Sequence, residues 1–306
     1  MQFRQSSLRR RSLEQQASTR ALWLVAPSLV MVMIIVFYPL ARGIIASFKF
    51  SSLTRPDYSP FIGFDNYREF LGSPEFWPLV RNSIVWTVGT VVLQFTLGLG
   101  IALLLNEPIR CRGLLRGIIV IPWVVPSVLV ALMWKWLFHA QAGLINSYLI
   151  RWGLINDYIP WLGQSKTALG AVMVAAVWQG TPFFVVTLLA GLQSIPVELY
   201  EAAAVDGASG WARFVRVTMP MLKPTATIST TLAFIWRFNW IDLLYNMTKG
   251  GPGISSHTLA TYGYIMSFTY GRLGYAAAIA TVMLLLILGF AVLYLKQVVK
   301  EQEDTI

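Results

Sequence analysis

Cysteine, histidine and charged residues are all scarce in this chain of 306 residues. The single cysteine, Cys111, excludes an internal disulfide and a cysteine-based metal site. With only two histidines, His139 and His257, no histidine-rich metal centre is expected either. Charged residues make up 12% of the chain, about half of the roughly 25% found in soluble domains. These shortages argue against a soluble metalloprotein.

A nucleotide-binding loop is missing as well. No segment matches Gly-x-x-x-x-Gly-Lys-Ser/Thr, the loop that cradles phosphates in P-loop ATPases. Acidic residues and histidines do not cluster in the sequence as they do around a catalytic centre. We therefore predict no catalytic residue, no metal site and no cofactor bound by this chain itself.

What the chain has in abundance is apolar sequence. Hydrophobic residues make up 56% of it, and the mean hydropathy is +0.60. Six segments are long enough for a helix that crosses roughly 30 Å of hydrocarbon, and none shows the alternation of a membrane strand. The sequence predicts an all-α, multi-pass membrane protein whose six transmembrane helices lie at about 21–48, 79–105, 117–138, 168–192, 225–246 and 273–295.

Lysine and arginine predict the orientation of these helices. If the N-terminus is cytoplasmic, the inner segments carry 13 Lys and Arg residues and the slightly longer outer loops carry 7. The positive-inside rule then places both termini in the cytoplasm. The net charge of +10 is assigned to this signal and not to nucleic-acid binding, because the positive residues are dispersed.

The domain organisation follows from the same pattern. We expect a cytoplasmic N-terminal tail at 1–20, one membrane domain at 21–296 and a cytoplasmic C-terminal tail at 297–306. The longest stretch between two spans is the inner loop 193–224, so no separate soluble domain is expected. The first apolar segment is too long for a cleaved signal peptide, which predicts that it stays as a span.

The inner loop carries the most specific motif in the chain. It reads Glu201-Ala202-Ala203, then Gly207, then Val217-Thr218-Met219-Pro220. This spacing resembles the EAA loop of permease subunits of binding-protein-dependent ABC importers, in which a coupling helix docks on a partner ATPase. The resemblance implies that Glu201, Ala202, Ala203, Asp206 and Gly207 couple the chain to that ATPase, with Asp206 as a cap for the next turn.

Three apolar segments mix aromatic with polar residues, a combination that suits a sugar. Aromatic rings stack on the C–H face of a sugar, while Arg, Asn, Gln or Ser side chains bind its hydroxyls. Arg237 and Asp242 lie within a predicted span, where a charge costs at least ~2.5 kcal/mol, so that span should line an interior. The segments are VIPWVVPS (120–127), VWQGTPFF (177–184) and FIWRFNWIDLLYN (234–246).

Residues 79–296 also resemble the maltose-type, carbohydrate-uptake ABC permeases, and MTKGGPG at 247–253 fits the first of their two permease subunits. By that resemblance, the predicted substrate pathway includes Trp123, Ser127, Gly180, Phe183, Trp236, Arg237 and Trp240. Asn239 is added to it as a polar residue of the same predicted interior-facing span. Maltose transporters of the family carry Tyr or Asn at several of these places. An arginine there suits an anionic or phosphorylated sugar, or simply a larger set of hydroxyls, and both remain open.

The predicted function is that of one membrane subunit of an ATP-driven importer for a sugar or sugar-like solute in a bacterial inner membrane. The resemblance implies four kinds of partner: a second homologous permease, an ABC ATPase dimer that binds ATP and Mg²⁺, an extracytoplasmic solute-binding protein, and membrane lipid. Three alternatives remain: a permease of the same class for a non-sugar solute such as a glycerol phosphodiester, an ATPase-independent secondary transporter, and an intramembrane enzyme. Because only Asp242 is an acid within a predicted span, ion coupling by carboxylates is disfavoured.

Overall fold

A computed structural model describes residues 25–303, and within that range the chain is helical, with only two isolated β-bridges. The predicted tail 1–20 and the last three residues lie outside the described range. The helices are α1 Val25–Ser47, α2 Asp65–Leu71, α3 Phe76–Asn106, α4 Arg112–Val124, α5 Ser127–Leu137, α6 Leu144–Arg151, α7 Ala168–Gln193, α8 Val197–Val205, α9 Gly210–Arg213, α10 Met219–Phe238, α11 Asp242–Thr248, α12 Leu259–Phe268 and α13 Leu273–Glu303. A π-helical turn, Phe214–Thr218, joins α9 to α10.

Four of the described helices are long and apolar enough to cross a membrane: α1, α3, α7 and the Leu273–Val292 part of α13. They coincide with the predicted first, second, fourth and sixth spans. The all-α, multi-pass class is thereby confirmed.

The predicted third span is two helices instead of one. The axes of α4 and α5 differ by 94° across a break of two residues, and the pair counts as a fifth span only if it is taken as one unit. Val125 is extended there, with φ −68° and ψ 128°. The cause is Pro126, whose ring disfavours helical geometry in the residue before it.

The predicted fifth span, 225–246, is also interrupted. Helix α10 ends at Phe238, and α11 begins only at Asp242. Neither piece is among the helices that are apolar and long enough to span. Helix α11 has only 7 residues, and α10 contains Lys223 and Arg237 as well as several Thr and Ser residues. The count of six spans therefore stays a prediction.

The centre of the described fold is the pair α3 and α7, which run in the same direction. Their approach is close at Gly98, where an added Cβ would lie 2.5 Å from the Cβ of Phe184. Alanines of α7 such as Ala171, Ala175 and Ala176 are buried in the adjoining core. In contrast, most of α1 presents its apolar side chains outward, as expected for a surface that faces lipid.

The Glu-Ala-Ala segment lies on a short helix. Glu201 to Ala204 belong to α8, which ends at Val205, and Gly207 follows in the left-handed region at φ +73°. The predicted cap is wrong, however. Asp206 is the C-cap residue of α8, and the side chain of Ser209 accepts a hydrogen bond from the Ala212 N–H at 3.2 Å to cap α9.

Candidate functional site

A cavity of about 280 Å³ lies where α7 passes the α4–α5 break and the end of α10. One helix break, one helix end and the middle parts of α3 and α7 therefore form its walls, which brings together side chains from distant parts of the sequence. Its lining residues are Gln94, Trp123, Val124, Val125, Pro126, Ser127, Gln179, Gly180, Phe183, Ala233, Trp236, Arg237 and Trp240.

Seven of the eight residues of the predicted substrate pathway line this cavity. Asn239 does not. Because α10 ends at Phe238, the backbone turns away, and the exposed Asn239 amide donates back to the Ile235 carbonyl at 2.9 Å. Asn239 instead lines a separate cavity beside α12 and α13.

One side of the cavity is aromatic. The ring of Phe183 lies between two indoles, with its centroid 6.0 Å from that of Trp123 and 5.2 Å from that of Trp236. Both tryptophans are about half exposed, at 49% and 47%, so they stand at the opening of the cavity. These rings offer flat apolar faces to a solute.

The other side is polar, and its most unusual member is Arg237, which is only 6% exposed. The Arg237 Nη2 donates to the Ala176 carbonyl at 3.2 Å, and the guanidinium lies 4.7 Å from the centroid of the Trp240 ring. Arg237 Nη1 and Trp240 Nε1 have no hydrogen-bond partner among the described residues. The backbone carbonyl of Arg237 is held by the indole N–H of Trp86 at 2.9 Å.

Sequence reasoning missed two glutamines of the cavity. The Gln94 amide donates to the same Ala176 carbonyl at 2.7 Å, and the Gln179 amide donates to the Val125 carbonyl at 3.2 Å and to Ser127 Oγ at 3.3 Å. The oxygen Oε1 of Gln179 has no partner in the described part of the chain. The sequence does contain a signal for them, since each is an amide within a long apolar segment. A polar side chain in a membrane span is costly unless it binds a partner, so such a residue is a candidate for a functional site.

Gly180 makes room for this polar group. A Cβ at Gly180 would overlap both Arg237 Nη2 and the amide of Gln94. The absence of a side chain at this position lets α3 and α10 bring two hydrogen-bond donors to one wall of α7.

A second, wider cavity of about 920 Å³ lies nearer the N-terminal ends of α3 and α7. It is lined by residues that include Arg81, Lys166, Asn82 and Trp77, and it contains no acidic residue. Among residues 25–303, no group of three or more His, Cys, Asp or Glu side chains is placed to hold a metal ion.

Comparison with known proteins gives the family. The model of the binding-protein-dependent transport system inner membrane component family matches residues 94–300, which contain every lining residue of the 280 Å³ cavity and the whole EAA motif. The chain belongs to this family. It is therefore a transport permease subunit.

Relatives match this permease over most of their own lengths. It is 37% identical to the sulfoquinovosyl glycerol transport system permease protein SmoG of Agrobacterium fabrum, covering 90% of this chain and 89% of that protein. It is 36% identical to the trehalose/maltose transport system permease protein MalF of Thermococcus litoralis, covering 89% and 91%. It is 34% identical to the diacetylchitobiose uptake system permease protein DasB of Streptomyces coelicolor, covering 92% and 87%.

A solved structure shares the fold of the permease. A chain of a bacterial ABC transporter involved in the import of the acidic polysaccharide alginate superposes with a TM-score of 0.77. The alignment covers 92% of this permease and 99% of that chain at 22% identity. At that identity the likeness supports the fold alone.

Proposed function

We propose that this permease forms half of the translocation pathway of an ATP-driven importer for a sugar or sugar-like solute. The observation that carries the proposal is the cavity, where three aromatic rings face a polar wall formed by Arg237, Gln94 and Gln179. A pyranose offers the matching surfaces, an apolar C–H face and a rim of hydroxyls. The relatives named for sulfoquinovosyl glycerol, trehalose/maltose and diacetylchitobiose transport support the same class of solute.

A second permease subunit would complete the cavity. Its opening is flanked by Trp123, Trp236 and Val124, of which Val124 is 74% exposed. Large apolar side chains around a polar cavity suit a protein partner, since a lipid neighbour would leave the polar wall unpaired. The predicted partner is a homologous permease.

The inner loop supports docking on a separate ATPase dimer that binds ATP and Mg²⁺. Along α8 the side chains of Glu201, Ala202 and Ala204 are exposed, and just beyond them Val205 and Trp211 are 88% and 73% exposed. The small side chains of the motif permit a close approach, and Val205 and Trp211 supply apolar contact area.

The same loop is fixed to the membrane helices. The Tyr200 hydroxyl lies 3.1 Å from the Thr218 hydroxyl, and Tyr200 packs on the core cluster around Leu192 and Ile195. A push on α8 is thereby passed to α7 and α10, which line the cavity. We propose that ATP binding closes the ATPase dimer, moves α8, and opens the cavity toward an extracytoplasmic binding protein; hydrolysis then resets it.

The test is ATP-driven uptake by the assembled importer in proteoliposomes, formed with the second permease, the ATPase dimer and the binding protein. Deletion of 201–208 should reduce uptake to background, and Ala202→Trp, which blocks close approach without shortening the chain, should reduce it at least about 10-fold. The matched control is Ser147→Trp on the exposed face of α6, which should leave uptake unchanged. Full uptake by the deletion variant would refute the coupling role.

A further inference from the structure

Arg237 has no acidic counterpart in the described structure. The ion pairs described between residues 25 and 303 are Arg68 with Asp65 and Arg272 with Glu69. Asp242, the acid nearest to Arg237 in sequence, is exposed in the first turn of α11. Inside the protein, the positive charge of Arg237 is stabilised by one carbonyl oxygen and one indole face, both of which are neutral.

A buried cation with neutral partners is costly, because removing a charge from water is compensated fully only by an opposite charge or a complete set of hydrogen bonds. Arg237 Nη1 lacks a partner among the described residues, so that set is incomplete. Since Arg237 lines the cavity, a solute bound there can supply the negative charge that the described residues do not.

The rest of the cavity also favours an anion. Helix α5 begins at Ser127 on the cavity wall, which places the positive end of its backbone dipole there. No aspartate or glutamate lines this cavity, and none lines the wider one, where Arg81 and Lys166 lie. Both cavities along α3 and α7 therefore combine cationic groups with no carboxylate.

We propose that the solute of this permease is an anionic sugar, whose carboxylate, sulfonate or phosphate group pairs with Arg237 while its ring packs on Trp123 and Trp236. The inference rests on the sugar pathway proposed above and names the substrate class of that pathway. Gln94 and Gln179 bind the hydroxyls beside the anionic group.

The experiment measures solute binding to the permease pair and ATPase dimer in nanodiscs, without the binding protein, so that only the membrane cavity selects. Quenching of tryptophan fluorescence reports binding, because Trp123, Trp236 and Trp240 line the cavity. The probes are methyl glucoside as the neutral sugar and its 6-carboxylate, 6-sulfonate and 6-phosphate analogues. At least one anionic analogue should bind about 10-fold or more tightly than the neutral sugar, as a charged hydrogen-bonded pair would give.

Variants separate a solute-binding role from a structural one. Arg237→Gln should abolish the preference, so that the preferred anion and the neutral sugar bind that variant with equal affinity. Arg237→Lys should keep part of the preference, and it remains informative if the glutamine variant does not assemble. Arg151→Gln, at the exposed end of α6, is the control and should behave as the unaltered protein.

Two results would overturn the proposal and leave the sugar pathway intact: neutral and anionic sugars binding equally, or a preference for the anion that persists in Arg237→Gln. If no sugar binds and the full importer shows no ATP-driven sugar uptake, the proposed function itself fails together with this inference.

Discussion

At the scale of single residues, the cavity depends on a glycine. Position 180 is the point on α7 where Gln94 and Arg237 converge, and a methyl group there would occupy the space of their terminal nitrogens. Both of these nitrogens end flexible side chains, so the fold can accept the extra carbon while the donors move. Gly180 therefore controls the position of the polar wall more than the stability of the protein.

We predict that Gly180→Ala raises the solute concentration for half-maximal uptake about 10-fold, since two hydrogen-bond donors lose their places. The maximal rate of ATP hydrolysis and the yield of assembled complex should change little. Uptake kinetics in proteoliposomes provide the measurement. Gly117→Ala in α4 is the matched control, because an added Cβ there meets nothing within 4 Å. Unchanged half-saturation in Gly180→Ala would show that the donors do not contact solute.

Lining residues of the cavity could be predicted where they belong to a recognisable motif, as Trp123, Phe183 and Arg237 do. It could not be predicted for Gln94, which sits alone in an apolar stretch. Its partner, the Ala176 carbonyl, lies 82 positions along the chain, and only the packing of α3 on α7 reveals that pairing. Asn239 is the opposite case, a residue that was predicted to line the cavity and does not. Its position depends on where α10 ends, which the sequence does not show.

At the scale of elements, α3 and α7 meet through a second glycine. An added Cβ at Gly98 would lie 2.5 Å from Phe184 Cβ and 3.3 Å from two backbone atoms of α7. Backbone atoms cannot rotate aside, so relief requires the two helices to separate.

We predict that Gly98→Ala destabilises the protein by about 1–3 kcal/mol, the usual cost of overpacking a close contact. Thermal unfolding of the purified protein in nanodiscs provides the measurement. Gly100→Ala, two residues further along the same helix, meets nothing within 4 Å and should change the midpoint very little. Equal midpoints for the two variants would contradict the close packing of α3 and α7.

The loop before α12 is a second element whose packing has a measurable consequence. The Asn82 amide of α3 donates to the carbonyls of Ile254, Ser255 and His257 at 3.0 to 3.2 Å. The His257 ring packs edge-on against Tyr262, and its Nδ1 lies 3.2 Å from Thr261 Oγ1. Burial lowers the pKa of His257 to about 4.

Because the pKa of His257 is lower in the folded state than the ordinary value of about 6.5, its contribution to stability is fully present above pH 6.5 and is lost as the pH falls toward 4. We predict faster hydrogen exchange in residues 249–261 at pH 4.5 than at pH 7, after correction for the intrinsic exchange rate. His257→Gln should remove most of that difference. His139→Gln, at an exposed position, should retain it.

The helices were predictable where apolar runs are long, and the breaks were not. Pro122 and Pro182 lie inside α4 and α7 without ending them, whereas Pro126 lies in the break at which the helix axis turns by 94°. The three prolines look alike in sequence. Each proline leaves a backbone carbonyl without its helical hydrogen bond. Whether that carbonyl finds a new partner depends on how the neighbouring helices pack, which cannot be read from the local sequence.

At the scale of the whole molecule, orientation in the membrane is still a prediction, and the chain contains its own reporter. Cys111 is the only cysteine, it is exposed, and it lies in the short loop between α3 and α4 that we predict to be cytoplasmic.

We predict that a membrane-impermeant maleimide labels Cys111 in inside-out vesicles and not in intact cells, without any substitution in the protein. Mass spectrometry of the labelled peptide provides the measurement. The control is Cys111→Ser combined with Ser165→Cys. This variant moves the thiol to the predicted outer loop just before α7, so the labelling pattern should reverse. Labelling of Cys111 from outside the cell would invert the topology and place the EAA motif on the wrong side for an ATPase.

The Ala176 carbonyl has a consequence for how the molecule moves. Side chains from α3 and α10 both donate to this single oxygen of α7, at 2.7 and 3.2 Å. The opposing wall at the α4–α5 break is tied to α7 through Gln179 alone among the described hydrogen bonds, at 3.2 and 3.3 Å. We propose that α3, α7 and α10, which are joined at this oxygen, move together, and that the passage widens or narrows at the bend formed by Val125 and Pro126.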